Sequence, residues 1–115
     1  MSQQTKLVNL SLKTASNFVK LQTKLHAQQV NQHILEQTTL YATLLGENVY
    51  TALATNHAEE RECLLRDSLG DLTRLEYWLK LLVETETVNE IESRPFFFDL
   101  QELKKLIEEM LPSNE

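Results

Sequence analysis

Apolar residues recur every three or four positions in four separate stretches of this chain, the spacing of amphipathic helices at about 100° per residue. The first stretch, roughly residues 5 to 27, gathers Val8, Leu12, Ala15, Phe18, Val19 and Leu25 on one face. The second gathers Ile34, Thr38, Tyr41, Leu45, Asn48, Val49 and Ala52. The third uses Leu65, Leu69, Leu72, Leu75, Leu79, Leu82 and Val83, and the last uses Leu100, Leu103, Leu106, Ile107 and Met110. Two glycines and two prolines leave little of the turn chemistry that strands require. Leu, Glu, Gln, Lys and Ala dominate instead, and these are helix formers. The pattern predicts an all-α protein.

Boundaries follow from capping chemistry. Asn56 with Glu59 predicts a capping box at the start of the third helix. Asp99 and Glu102 offer a similar pair for the fourth; the other candidate start is near Ser93, which would put Pro95 in the first turn, where a missing N–H costs little. Pro112 ends that helix, and the weakly marked join between the first two falls within residues 28–32. Long helices with short joins pack as antiparallel neighbours. The expected architecture is an antiparallel up-and-down four-helix bundle, one domain over residues 1–115.

Composition changes this picture little. The apolar fraction is 42%, ordinary for a globular chain. No apolar run approaches the roughly 20 residues that span a bilayer, and the first residues lack the signal-peptide pattern, so a cytoplasmic protein without a membrane partner is expected. Cys63 is the single cysteine, unable to form an internal disulfide or to build a zinc site alone, and reads as an inert packing residue. Charge is more informative. Residues 1–56 carry Lys6, Lys13, Lys20 and Lys24 against Glu36 and Glu47, or +2; residues 57–115 carry seven basic and fifteen acidic groups, or −8. That balance disfavours a protein-wide nucleic-acid footprint.

Templates for chemistry fail in turn. A di-iron bundle needs Glu-x-x-His on two helices, and the motif is absent. His26, His33 and His57 lie on different segments without metal-ligand spacing, and there is no Gly-rich phosphate loop or nucleophile elbow. The reading is a non-enzyme with no catalytic residues, no metal and no cofactor.

The surfaces left after folding carry the remaining information. Tyr77, Trp78, Leu81 and Cys63 fall on the flanks or far side of a third helix centred on Leu72, and Leu40 and Leu44 form a second stripe on helix two. A helix apolar nearly all round is buried on more than one side. Leu40, Leu44, Tyr77, Trp78 and Leu81 are therefore the expected oligomer interface, unless loops or termini cover them. Glu76 lies within about 40° of the centre of the helix-three face, and Asn48 lies at the edge of the helix-two face. They are expected to form a buried polar pair that fixes register, because a buried carboxylate needs a partner, with Tyr41 and Thr38 as the other candidate donors to Glu76; the alternative reading of Glu76 is a ligand-binding or catalytic role. Lys6, Lys13, Lys20 and Lys24 project along one side of helix one, opposite its apolar face. The readings of this stripe are a solvated face, contact with nucleic-acid phosphates, or contact with Glu84, Glu86, Glu90 and Glu92 of a neighbouring copy.

Ala42-Thr43-Leu44-Leu45-Gly46-Glu47-Asn48-Val49 resembles the helix-two signature A-T-S-I-G-A-N-I of a bacterial four-helix-bundle family. The run from Ser68 to Leu79, Ser-Leu-Gly-Asp-Leu-Thr-Arg-Leu-Glu-Tyr-Trp-Leu, resembles its helix-three signature, A-L-G-S-L-A-E-L-E continuing into Y-W-L. This is the family encoded by intervening sequences in bacterial 23S ribosomal RNA genes, itself similar to the accessory protein of diversity-generating retroelements. The resemblance implies an up-and-down bundle, a homo-oligomer that is typically a pentameric ring, and no enzymatic activity. It carries Asn48 and Glu76 as matching positions. The chain departs from the pattern at Leu40, where the family usually has a basic residue, and at Thr51, where it has Glu. The two functional expectations are a self-associating scaffold or adaptor for another protein, and, as the alternative, a nucleic-acid-binding accessory protein using the helix-one lysines.

Overall fold

The computed structural model describes residues 2–112, in which the four stretches become α1 (Gln3–His26), α2 (Gln32–Ala54), α3 (Ala58–Glu84) and α4 (Glu90–Met110). Three helices start on a side-chain cap. Ser2, Asn31 and Asn89 accept from the backbone N–H groups of Thr5, Ile34 and Glu92, each bond typically stabilising its helix by about 1 kcal/mol. The start of α3 differs from expectation. Its N-cap is His57, without a side-chain cap bond, and the Asn56–Glu59 box does not form. Thr55 organises this corner instead, its Oγ1 accepting from the His57 N–H at 3.2 Å and donating to Glu60 at 3.3 Å. Likewise α4 starts three residues before Ser93, so Pro95 sits in the second turn rather than the first. There its missing N–H leaves the Ile91 carbonyl without a helical donor, on the solvent side of the helix where water can serve it.

Each helix packs on its sequence neighbours, and α1 closes against α4, which makes an antiparallel up-and-down four-helix bundle. Leu72, Leu75, Leu79, Leu100, Leu103 and Ile107 fill the middle of the core with almost no exposure. Phe18 meets Phe96 edge to face with ring centroids 4.8 Å apart, joining α1 to α4. Full burial of such side chains stabilises by about 1.5–3 kcal/mol each.

Helix α1 is rotated from the expected orientation. It buries Leu7, Ser11, Thr14, Phe18, Leu21 and Leu25, and it leaves Leu12 and Val19 exposed. The centre of the buried face lies about 80° from the expected one. Apolar residues on α1 cover more than one face, and the orientation that buries Leu7, Phe18 and Leu21 together removes more apolar surface from water. Ser11 tolerates the core because its Oγ donates to the Val8 carbonyl at 2.9 Å.

The turn from α3 to α4 is a Schellman motif. The Thr87 N–H reaches the Leu82 carbonyl at 2.9 Å, and the Glu86 N–H reaches the Val83 carbonyl at 3.0 Å. Glu86 occupies the left-handed position at φ 61°, where glycine is usual. Glu86→Gly is therefore expected to raise unfolding stability by about 0.5–1 kcal/mol, the left-handed strain of an L-residue minus the extra freedom of glycine in the unfolded chain. Urea unfolding of the two proteins measures it; a loss of stability would show that Glu86 makes a compensating interaction.

Candidate functional site

The polar residue that meets Asn48 across α2 and α3 is Asp71, and not Glu76. Asn48 Nδ2 donates to Asp71 Oδ2 at 2.7 Å, and Asp71 is buried. Burial pushes the Asp71 carboxyl above its ordinary value, while the Asn48 bond and the Arg74 guanidinium pull it down and Asp67 pushes it up further. Arg74 in turn lies over the Tyr41 ring, 5.9 Å from its centroid. Glu76 is half-buried on the flank of α3 that turns toward α4, with no bond to Asn48. The difference arises from the phase of α3. Its buried residues Leu65, Ser68, Asp71, Leu72, Leu75, Leu79 and Leu82 centre about 40° from Leu72 on the α2 side, which brings Asp71 inward and swings Glu76 out. The resulting layer is well suited to fixing the α2–α3 register.

The five residues expected at an interface divide. Tyr77 and Leu40 are exposed, whereas Leu44, Trp78 and Leu81 are half-buried. Trp78 is partly covered by its own chain, edge-on to His33 at 5.8 Å and to Tyr77 at 5.2 Å. Cys63 is exposed rather than packed. The four lysines of α1 are all exposed, and two of them reach α4. Lys24 pairs with Glu92 at 3.2 Å and Lys13 with Asp99 at 3.9 Å, within one chain. Glu92, expected as a contact for a neighbouring copy, is thus met from inside. The Lys24–Glu92 pair is exposed on both sides and contributes little to stability, and both pairs reduce the charge available to an external phosphate.

A second apolar surface was absent from the sequence expectations. Between α1 and α2 runs an open groove of about 310 Å³ lined by Val8, Leu12, Ala15, Gly46 and Tyr50, with Glu47 at its edge. Leu12 and Tyr50 are 69% and 67% exposed on its walls. Gly46 floors it, and a Cβ there would meet Ala15 Cβ at 3.6 Å, an ordinary contact, so this glycine keeps the groove open rather than allowing a backbone approach. On α4, Ile91 and Phe98 stand outward, 73% and 66% exposed. The clue in the sequence was the seven-residue spacing of Leu12 and Val19, shared by Ile91 and Phe98, on faces that also carry Lys and Glu. Among the described residues no group of three or more His, Cys, Asp or Glu is arranged to hold a metal ion, and no helix is long and apolar enough to cross a membrane.

No family model matches the chain, and no curated protein matches it. Among solved structures, the chain is similar to a protein of unknown function from the S23 ribosomal protein family of Bacteroides thetaiotaomicron, at 24% identity. The similarity covers 95% of this chain and 97% of that one with a TM-score of 0.90, and it establishes a shared four-helix fold.

Proposed function

We propose that this chain is a non-catalytic, self-associating protein that serves as a scaffold or adaptor, assembling as a pentameric ring of the kind implied by its resemblance to the 23S rRNA intervening-sequence proteins. The observation that carries this reading is the amount of large apolar surface that the single chain leaves in water: Leu12, Leu40, Tyr50, Tyr77, Ile91 and Phe98 are all exposed. Scattered apolar side chains mean little, but contiguous apolar patches mark interaction surfaces. Two regions can serve, the α2–α3 face of Leu40, Leu44, Tyr77, Trp78 and Leu81, and the α1–α2 groove with the outer face of α4. The fold shared with a protein of the S23 family agrees with the resemblance in helices two and three.

Binding of RNA or DNA through Lys6, Lys13, Lys20 and Lys24 has weaker support. Two of the four lysines already face carboxylates of α4, and the chain is acidic at −6. Light scattering after size exclusion, at low and high salt, tests the proposal. One species several times the monomer mass, unchanged by salt, is expected, because an apolar interface is not weakened by screening, whereas phosphate contacts weaken steeply. A monomer at both salt concentrations would refute self-association.

A further inference from the structure

Two sets of exposed apolar side chains lie on different sides of the bundle, one concave and one convex. The concave set is the α1–α2 groove, with Leu12 and Tyr50 on its walls and Val19 continuing the α1 wall. The convex set is Ile91 and Phe98, which stand on α4 opposite the buried Leu100, Leu103 and Ile107. Seven residues, close to two helical turns, separate Ile91 from Phe98, and seven separate Leu12 from Val19. Helices α1 and α4 run antiparallel, and the Lys13–Asp99 pair and the Phe18–Phe96 contact fix their relative height. Phe98 therefore lies within about one turn, ~5 Å, of the height of Leu12, and Ile91 within the same distance of the height of Val19.

We infer that the outer face of α4 in one copy docks on the α1–α2 groove of the next, Phe98 against Leu12 and Tyr50, and Ile91 against Val19. This rests on the self-association proposed above and assigns its contact surfaces. A contact between two different patches closes into a ring when the repeat carries little translation, and otherwise runs on as a filament. Equal spacing on the two antiparallel helices lets one rotation about an axis along the bundle bring both apolar pairs to within about one turn of each other at once.

Charge favours the same pairing. The half containing α1 and α2 carries +2 and the half containing α3 and α4 carries −8. Head-to-tail docking sets these unlike halves together, whereas a twofold pairing of α4 with itself opposes two acidic halves. At the contact itself, Glu47 is the charged side chain lining the groove among the described residues, and the α4 face around Phe98 is mixed, with Arg94 and Lys105 beside Glu102 and Glu109, so the attraction comes from the net charge of the two halves. The α2–α3 face is less suited, since Trp78 there is already half-covered by His33 and Tyr77.

Complementation between variants tests the docking. Leu12→Glu and Phe98→Glu alter side chains that the single chain leaves in solvent, so each should keep its helix content by circular dichroism; Ile91→Glu serves as a second α4 variant. Alone, each is expected to fall from the assembly to monomer. Mixed in equal amounts, Leu12→Glu and Phe98→Glu should give a heterodimer and stop there, because one intact groove meets one intact α4 face and neither chain can extend. Tyr77→Glu should keep the wild-type mass. If both charge variants keep the wild-type mass, or the mixture stays monomeric, the docking is overturned. If Tyr77→Glu alone dissociates, self-association stands and its assignment to α4 and the groove is wrong, whereas a monomeric wild type removes the self-association reading itself.

Discussion

Phe18→Ala is expected to destabilise the bundle by about 3–5 kcal/mol, the usual loss for a fully buried phenylalanine. Phe18 is 1% exposed, and its ring fills the space between α1 and α4 against Phe96. Truncation removes that edge-to-face contact and leaves a cavity in the core. A domain of this size has about 5–15 kcal/mol to lose, so the midpoint in urea should fall by a large fraction of its wild-type value. A loss under 1 kcal/mol would mean that α1 can rotate to bury Leu12 and Val19 in place of Leu7 and Phe18.

Asn48→Ala is the second large effect, and its size depends on pH. The amide is the hydrogen-bond donor to a buried carboxylate, and stranding a charged buried acceptor costs about 2–3 kcal/mol. The sign of the pH dependence follows from Asp71. Burial is the largest influence on its carboxyl and raises the folded-state pKa above that of the unfolded chain. Between the two values the folded protein binds more protons, so the Asp71 contribution to stability is greatest below the ordinary carboxylate range and falls as pH rises through the raised value. Asn48 favours the charged form, and its removal raises the folded pKa further. The loss from Asn48→Ala should therefore be largest at neutral pH and shrink in acid, where Asp71 is protonated. Asp71→Asn should flatten this part of the stability–pH curve and hold or raise stability at neutral pH, since an amide oxygen still accepts from Asn48. Equal losses for Asn48→Ala in acid and at neutrality would show that Asp71 does not titrate in response to its amide partner.

The helices were legible in the sequence because their apolar periods are long and uninterrupted. Their rotations were less so. On α1, Leu7, Val8, Leu10, Leu12, Ala15, Phe18, Val19, Leu21 and Leu25 fit more than one face, and the choice between faces depends on the packing volume offered by the other three helices. On α3, Leu69 and Val83 pulled the apparent centre toward α4, although both are only half-buried, and this placed Glu76 where Asp71 belongs. Asn48 was recognisable as a polar residue facing α3 because its face is fixed by Val49, Leu45 and Ala52 on α2 alone. The α1–α2 groove was not legible, since a groove is a property of two helices. The lysine stripe was found in the sequence, but its partners Asp99 and Glu92 come from the far end of the chain and depend on the closure of α1 against α4.

The most direct test of the account is the native mass of the wild-type chain over a dilution series, by mass spectrometry from a volatile buffer. A single closed assembly, present at one stoichiometry until it dissociates at low concentration, is the result predicted by head-to-tail docking into a ring, and five copies is the number that the resemblance implies. A monomer at every concentration, or a ladder of sizes without a preferred number of copies, would contradict it.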